Sequence, residues 1–146
     1  MKPRFRATAR LALALLCVAW LARTAALAQD PRASLAQKSA RDFLELTDRN
    51  DAQASWQSAG KQFQNALTPE RWAKALGSAR LPLGAPADRT LMSTQFTSSF
   101  PGAAGEGEYA LLVFRTNFAK RSGVAETVTL EREPDGKWRV IGYLVQ

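Results

Sequence analysis

The chain has 146 residues, a formal net charge of +7, one cysteine and no histidine. The missing histidine excludes His-dependent triads, His general bases and ordinary His metal sites. The single thiol, Cys17, falls in a leader, so thiol catalysis and thiolate metal ligation are excluded as well.

Residues 1–28 read as a secretory signal peptide. Lys2, Arg4, Arg6 and Arg10 make a basic n-region, Leu11–Leu21 an apolar h-region, and Ala26-Leu27-Ala28 a small-residue cleavage site, so the mature chain is expected to begin at Gln29. The h-region is shorter than the ~20 apolar residues that cross a bilayer, and Arg23 interrupts any extension. Cys17 follows the bulky Leu16, so it is not a lipoprotein acceptor. No stable membrane anchor is expected after cleavage, and the destination is the periplasm or the medium. The leader holds five of the 20 basic residues and none of the 13 acidic ones, which leaves the mature chain at +2. A nucleic-acid partner is therefore not indicated. Residues 29–146 suit one domain with a modest core.

Three helices are expected first. Over Asp30–Asn50, Ala36, Ala40, Phe43, Leu44 and Thr47 share one face at helical spacing. Asn50 is a plausible N-cap for a second helix, in which Ala52, Trp56, Ala59, Phe63 and Ala66 form one stripe. Thr68-Pro69-Glu70 starts a third, with Thr68 capping and Pro69 at the first helical position. It turns Trp72, Ala75, Leu76 and Ala79 inward and stops near Gly77 or Arg80. The stretch Leu81–Pro86 cannot continue a helix. Stripes such as Trp56, Phe63 and Trp72 ordinarily cover a sheet. The sharper reading is that they line a ligand pocket between helices and sheet.

Strands follow. Arg89–Thr97 alternates loosely, and Glu108–Phe118 alternates clearly. The glycines around Gly102, Gly105 and Gly107 join the two. They match neither a phosphate-cradling loop nor a dinucleotide fingerprint. Glu126–Gln146 reads as two strands around Pro134-Asp135-Gly136, with Glu133 paired to Lys137. Counting back sets Leu130 opposite Val140, Val128 opposite Gly142 and Glu126 opposite Leu144. The inner face then carries Val128, Leu130, Trp138, Val140 and Leu144; Ile141 and Tyr143 face out. In the preceding hairpin, with its tip at Lys120–Gly123, Phe118 opposite Val124 sets Thr116 against Glu126 and Phe114 against Val128. Both registers agree on one core face, which supports an antiparallel meander. The expected fold is α+β: about three N-terminal helices on one face of a curved antiparallel four-stranded sheet.

Several runs resemble a family. They are Trp56, Phe63 and Trp72; Arg80-Leu81-Pro82-Leu83-Gly84 with Arg89; Gly107-Glu108-Tyr109; Phe114–Lys120; Glu126-Thr127-Val128; and Asp135–Tyr143. Together they resemble bacterial exported proteins with the domain of unknown function 4019, over about Leu35 to Gln146. The resemblance implies a single exported domain and supplies no activity. The element order is also similar to the nuclear transport factor 2-like cone, a fold-level analogy. Enzymes of that superfamily commonly use Asp and His in the cone; this chain has no histidine.

Glu126 is a carboxylate that falls on the apolar inner face. Either it reaches water or a basic side chain at the end of the sheet beside Lys120-Arg121, or it anchors a pocket lined by Trp56, Phe63, Trp72, Phe114 and Thr116. A one-residue bulge would turn it outward. The function expected is a non-catalytic binding or interaction module, with an apolar small molecule or an envelope protein as partner. No metal and no cofactor are expected. The alternative is a carboxylate-dependent isomerase or cyclase working through Glu126. The outer face, with Leu111, Val113, Ile141 and Tyr143, is a possible homodimer surface.

Overall fold

A computed structural model describes residues 30–146. The leader expected over residues 1–28, with Cys17, lies outside the described residues.

The first helix, α1 (Pro31–Asp48), buries Ala36, Ala40, Phe43, Leu44 and Thr47, the face its spacing predicts. It ends where Asn50 takes a left-handed φ of 54°. The cap of the next helix therefore moves one residue on, and the Asp51 carboxylate accepts from the Ala54 amide at 2.9 Å.

The expected second helix is two short ones, α2 (Ala52–Ser58) and α3 (Lys61–Ala66). The break lies at Ala59-Gly60 and has a non-local cause. The Gly60 amide leaves the helical ladder and donates to the Val140 carbonyl at 2.8 Å. A Cβ at Gly60 would sit 3.1 Å from Ile141 Cγ2 and 3.3 Å from Arg139 Cβ. Only glycine brings backbone this close, and the contact occupies part of an otherwise open sheet edge.

Helix α4 (Pro69–Arg80) has the expected start, with Thr68 accepting from the Arg71 amide at 3.3 Å. Its buried stripe differs from the expected one. Trp72, Leu76 and Arg80 point inward, while Ala75 and Ala79 are exposed. Positions four apart, stacked above one another, set that face. An arginine thus closes an otherwise apolar stripe.

The four strands are β1 (Pro86–Thr97), β2 (Tyr109–Phe118), β3 (Arg121–Arg132) and β4 (Trp138–Val145), antiparallel in sequence order. Four helices then an open curved sheet make the α+β architecture expected, with one helix more. The Pro134-Asp135-Gly136 turn is as read: Glu133 donates to the Lys137 carbonyl at 3.0 Å and Gly136 has φ 79°. The β2–β3 register differs by two residues, with Phe114 opposite Glu126 and Thr116 opposite Val124. The turn is tighter than expected, reduced to Ala119-Lys120, and a bulge follows near Gly123. A slip of two leaves every side chain on its face.

The β3–β4 pairing carries the consequential correction. Arg132 to Leu130 pair as predicted, but a bulge between Leu130 and Thr129 shifts the rest by one. Val128 then faces Tyr143, and Glu126 faces Val145. Tyr143 turns inward, and Leu144, expected inside, lies 51% exposed on the outer face. The core formed between helices and sheet is built on Phe43, Leu44, Leu76, Leu112, Phe114, Val128 and Leu130.

A buried ion network as candidate functional site

Glu126 is 0% exposed. Its strand position puts it on the inner face, and four donors from four elements converge on it. Oε1 accepts from Arg80 Nη1 at 3.0 Å and from the Tyr143 hydroxyl at 2.5 Å. Oε2 accepts from Arg89 Nε at 2.8 Å and from the Thr116 hydroxyl. An ionised carboxylate has about four lone-pair sites, and here all four are used. None of these donors belongs to Lys120 or Arg121, beside which the sequence had placed it.

The arginines meet a second carboxylate. Asp48, at the end of α1 and 19% exposed, accepts from Arg89 Nη1 and Nη2, each at 2.8 Å, and from Arg80 Nη2. Two carboxylates thus face two guanidiniums, and the cluster is neutral as a unit. The planar fork of arginine lets each guanidinium bridge both acids. Arg80 Nη1 also donates to the Tyr143 hydroxyl at 2.8 Å and to the Thr47 hydroxyl at 3.4 Å. One face of the Arg80 guanidinium lies 4.7 Å from the Phe118 ring centre. Its Nε is buried without an acceptor. The network ties α1, α4, β1, β2, β3 and β4 together.

Burial raises the Asp48 carboxyl, but hydrogen bonds from Arg89 and Arg80 outweigh it and hold the group below its ordinary 3.8. A depressed folded value means that Asp48 adds stability above the unfolded value. That contribution disappears as pH falls below about 4. Burial and the charge of Glu126 push the Tyr143 hydroxyl well above its ordinary 10, against the lowering effect of Arg80. A raised value means stability present below pH 10 and lost as pH rises beyond it. Tyr143→Phe removes one donor to Glu126 and one acceptor for Arg80. It is expected to cost about 1.5–3 kcal/mol in urea unfolding, and to blunt the loss of stability above pH 10.

The other predicted residues lie in the adjoining core. Phe63 and Trp72 pack edge to face at 5.0 Å, and Trp72 lies 6.2 Å from Tyr143. The Trp72 indole donates to the Ser55 hydroxyl at 2.9 Å. Phe114 is buried opposite Glu126, with the Arg41 guanidinium 5.5 Å from its ring. Trp56 sits half-buried at the margin, its indole donating to the Leu67 carbonyl at 2.7 Å. Thr116 and Glu126 are thus brought together, as are Phe63 and Trp72. Two surface hollows, of about 400 and 330 Å³, are lined by other residues.

A sequence model of the family described as "Protein of unknown function (DUF4019)" matches residues 39–143. The chain belongs to this family. The match spans every member of the DUF4019 network, from Thr47 and Asp48 to Tyr143. Among curated proteins, none matches the chain. The description of DUF4019 names no activity. A general base needs a free lone pair aimed at a substrate; Glu126 has all of its lone pairs engaged within the fold. Among the described residues, no helix is long and apolar enough to cross a membrane.

Proposed function

We propose that this DUF4019 chain is an exported, non-catalytic interaction module that meets a protein partner of the cell envelope through its surface. The observation that carries the reading is the saturation of Glu126, buried and bonded to Arg80, Arg89, Thr116 and Tyr143. A pocket anchor would keep polar groups turned toward a ligand. Here the aromatic side chains Phe43, Phe63 and Trp72 fill the space beside Tyr143. Export rests on the basic n-region, the short apolar run and the Ala26-Leu27-Ala28 site.

Native mass spectrometry of protein purified from the cell envelope tests both parts. The expected species is polypeptide beginning at Gln29 and carrying no stoichiometric small molecule. A chain beginning at Met1 in the membrane fraction would overturn export. A retained compound released on denaturation would overturn the surface reading.

A further inference from the structure

The sheet face turned away from the core is covered by no helix among the described residues. It is mixed in character. One row across it runs Ser93, Val113, Thr127, Leu144, and the next runs Gln95, Leu111, Thr129, Gly142. The β4 bulge supplies this face with Leu144 in place of the tyrosine that a regular strand would present.

On the two middle strands the unpaired charges at the two ends of the face are opposite, with Arg139 of β4 and Asp88 of β1 at its margins. Glu131 lies opposite Tyr109 at one end, partly buried, and engages in no hydrogen bond or ion pair among the described residues. Burial and the neighbouring Glu133 push its carboxyl up. Arg115 lies at the other end, exposed and without a carboxylate partner among the described residues. Six residue steps along β2 lead from Tyr109 to Arg115, which is roughly 20 Å at ~3.3 Å per step.

The ends also differ in relief. Above Tyr109 the chain from Phe100 to Gly107 stands proud of the sheet: the Phe100 ring lies 5.0 Å from Tyr109, whose hydroxyl donates to the Gly105 carbonyl at 3.0 Å. A hollow of about 330 Å³ lies beside this loop, lined in part by Thr97, Gly107 and Tyr109, and at the Arg115 end the face opens into one of about 400 Å³, lined in part by Arg115 itself with Asp88, Thr90 and Asn117. A two-fold axis between two such faces, perpendicular to the strands, exchanges the ends. It would set acid on base and raised loop on hollow while Leu111, Val113 and Leu144 meet in the middle.

We infer that the outer sheet face pairs with that of a second copy of this chain, Arg115 of each copy meeting Glu131 of the other. The inference rests on the surface reading of function and specifies its partner. The acid and base ends, the apolar middle and the matching relief lie on one self-complementary face.

Sedimentation of the mature protein up to ~100 μM, within the range of modest interfaces, tests it. Wild type should be dimeric. Arg115→Glu and Glu131→Arg alone should each weaken association by about tenfold or more, a change of ~1.4 kcal/mol. The double reversal Arg115→Glu/Glu131→Arg should restore it to within about threefold, since both contacts are then re-formed with signs exchanged. Val113→Lys should leave monomer. Neither charged residue enters the core, so the charge series stays decisive even where Val113→Lys fails to fold. A monomeric wild type, or a double reversal no better than its parents, overturns the inference. Neither result bears on a retained small molecule, which would overturn the surface reading itself.

Discussion

Glu126→Gln is expected to destabilise the protein by about 3–5 kcal/mol, the range for removing one partner from a buried ion pair. The substitution keeps the volume and removes the charge. Arg80 and Arg89 are then left with Asp48 as their one carboxylate, at 5% and 13% exposure. Geometry compounds the electrostatic loss. All four groups around Glu126 donate to it, whereas glutamine presents two protons of its own. Whichever way the amide turns, it sets donor against donor. Against a total stability of about 5–15 kcal/mol for an ordinary domain, the change should be plain in a urea midpoint. A glutamate buried for a ligand would behave in the opposite sense, because losing a costly unpaired charge leaves stability level or raised.

Arg80→Met is expected to cost a similar ~3–5 kcal/mol, for the complementary reason. Methionine can lie against Phe118 as the arginine does, so packing is largely kept. What is lost is the bridge between Asp48, Glu126 and Tyr143. Two carboxylates then share Arg89. Arg80→Lys should recover only part of the loss, because one ammonium cannot bridge both acids and the tyrosine in the plane that the guanidinium spans. Equilibrium urea unfolding at neutral pH reads both variants. The Arg80→Met penalty should shrink as pH falls below about 4, where the contribution of Asp48 begins to be lost.

How far the sequence shows this site depends on which contacts are local. The buried face of α1 and the Pro134-Asp135-Gly136 turn follow from spacing and turn chemistry, which act over a few residues. The break between α2 and α3 does not, because Gly60 is held by Val140 from the far end of the chain. The aromatic half of the site and Glu126 itself stand out by their alternation. The partners of Glu126 are less legible. Arg80 lies eight residues after Trp72 and Asp48 four after Leu44, so both continue inward stripes, but a charged residue at such a position reads as a helix end. Arg89 needs the β1–β2 register, which places it opposite Thr116. Tyr143 needs the bulge. The signal for that was present: Gly142 interrupts a strand, and an isolated glycine inside a strand ordinarily marks a bulge. A one-residue slip there exchanges the places of Tyr143 and Leu144, so it changes both the site and the outer surface.

The central claim is that Glu126 is held by its arginines as part of the fold and is not kept for a ligand. The most direct test is the double-mutant cycle between Glu126→Gln and Arg80→Met, measured by urea unfolding. The double variant removes one charge of each sign and leaves the Asp48–Arg89 pair whole. Its loss should be smaller than the sum of the two single losses by at least about 1.5 kcal/mol, within the range for residues in one network. Additive effects, with Glu126→Gln as stable as the wild type or more so, would contradict the account.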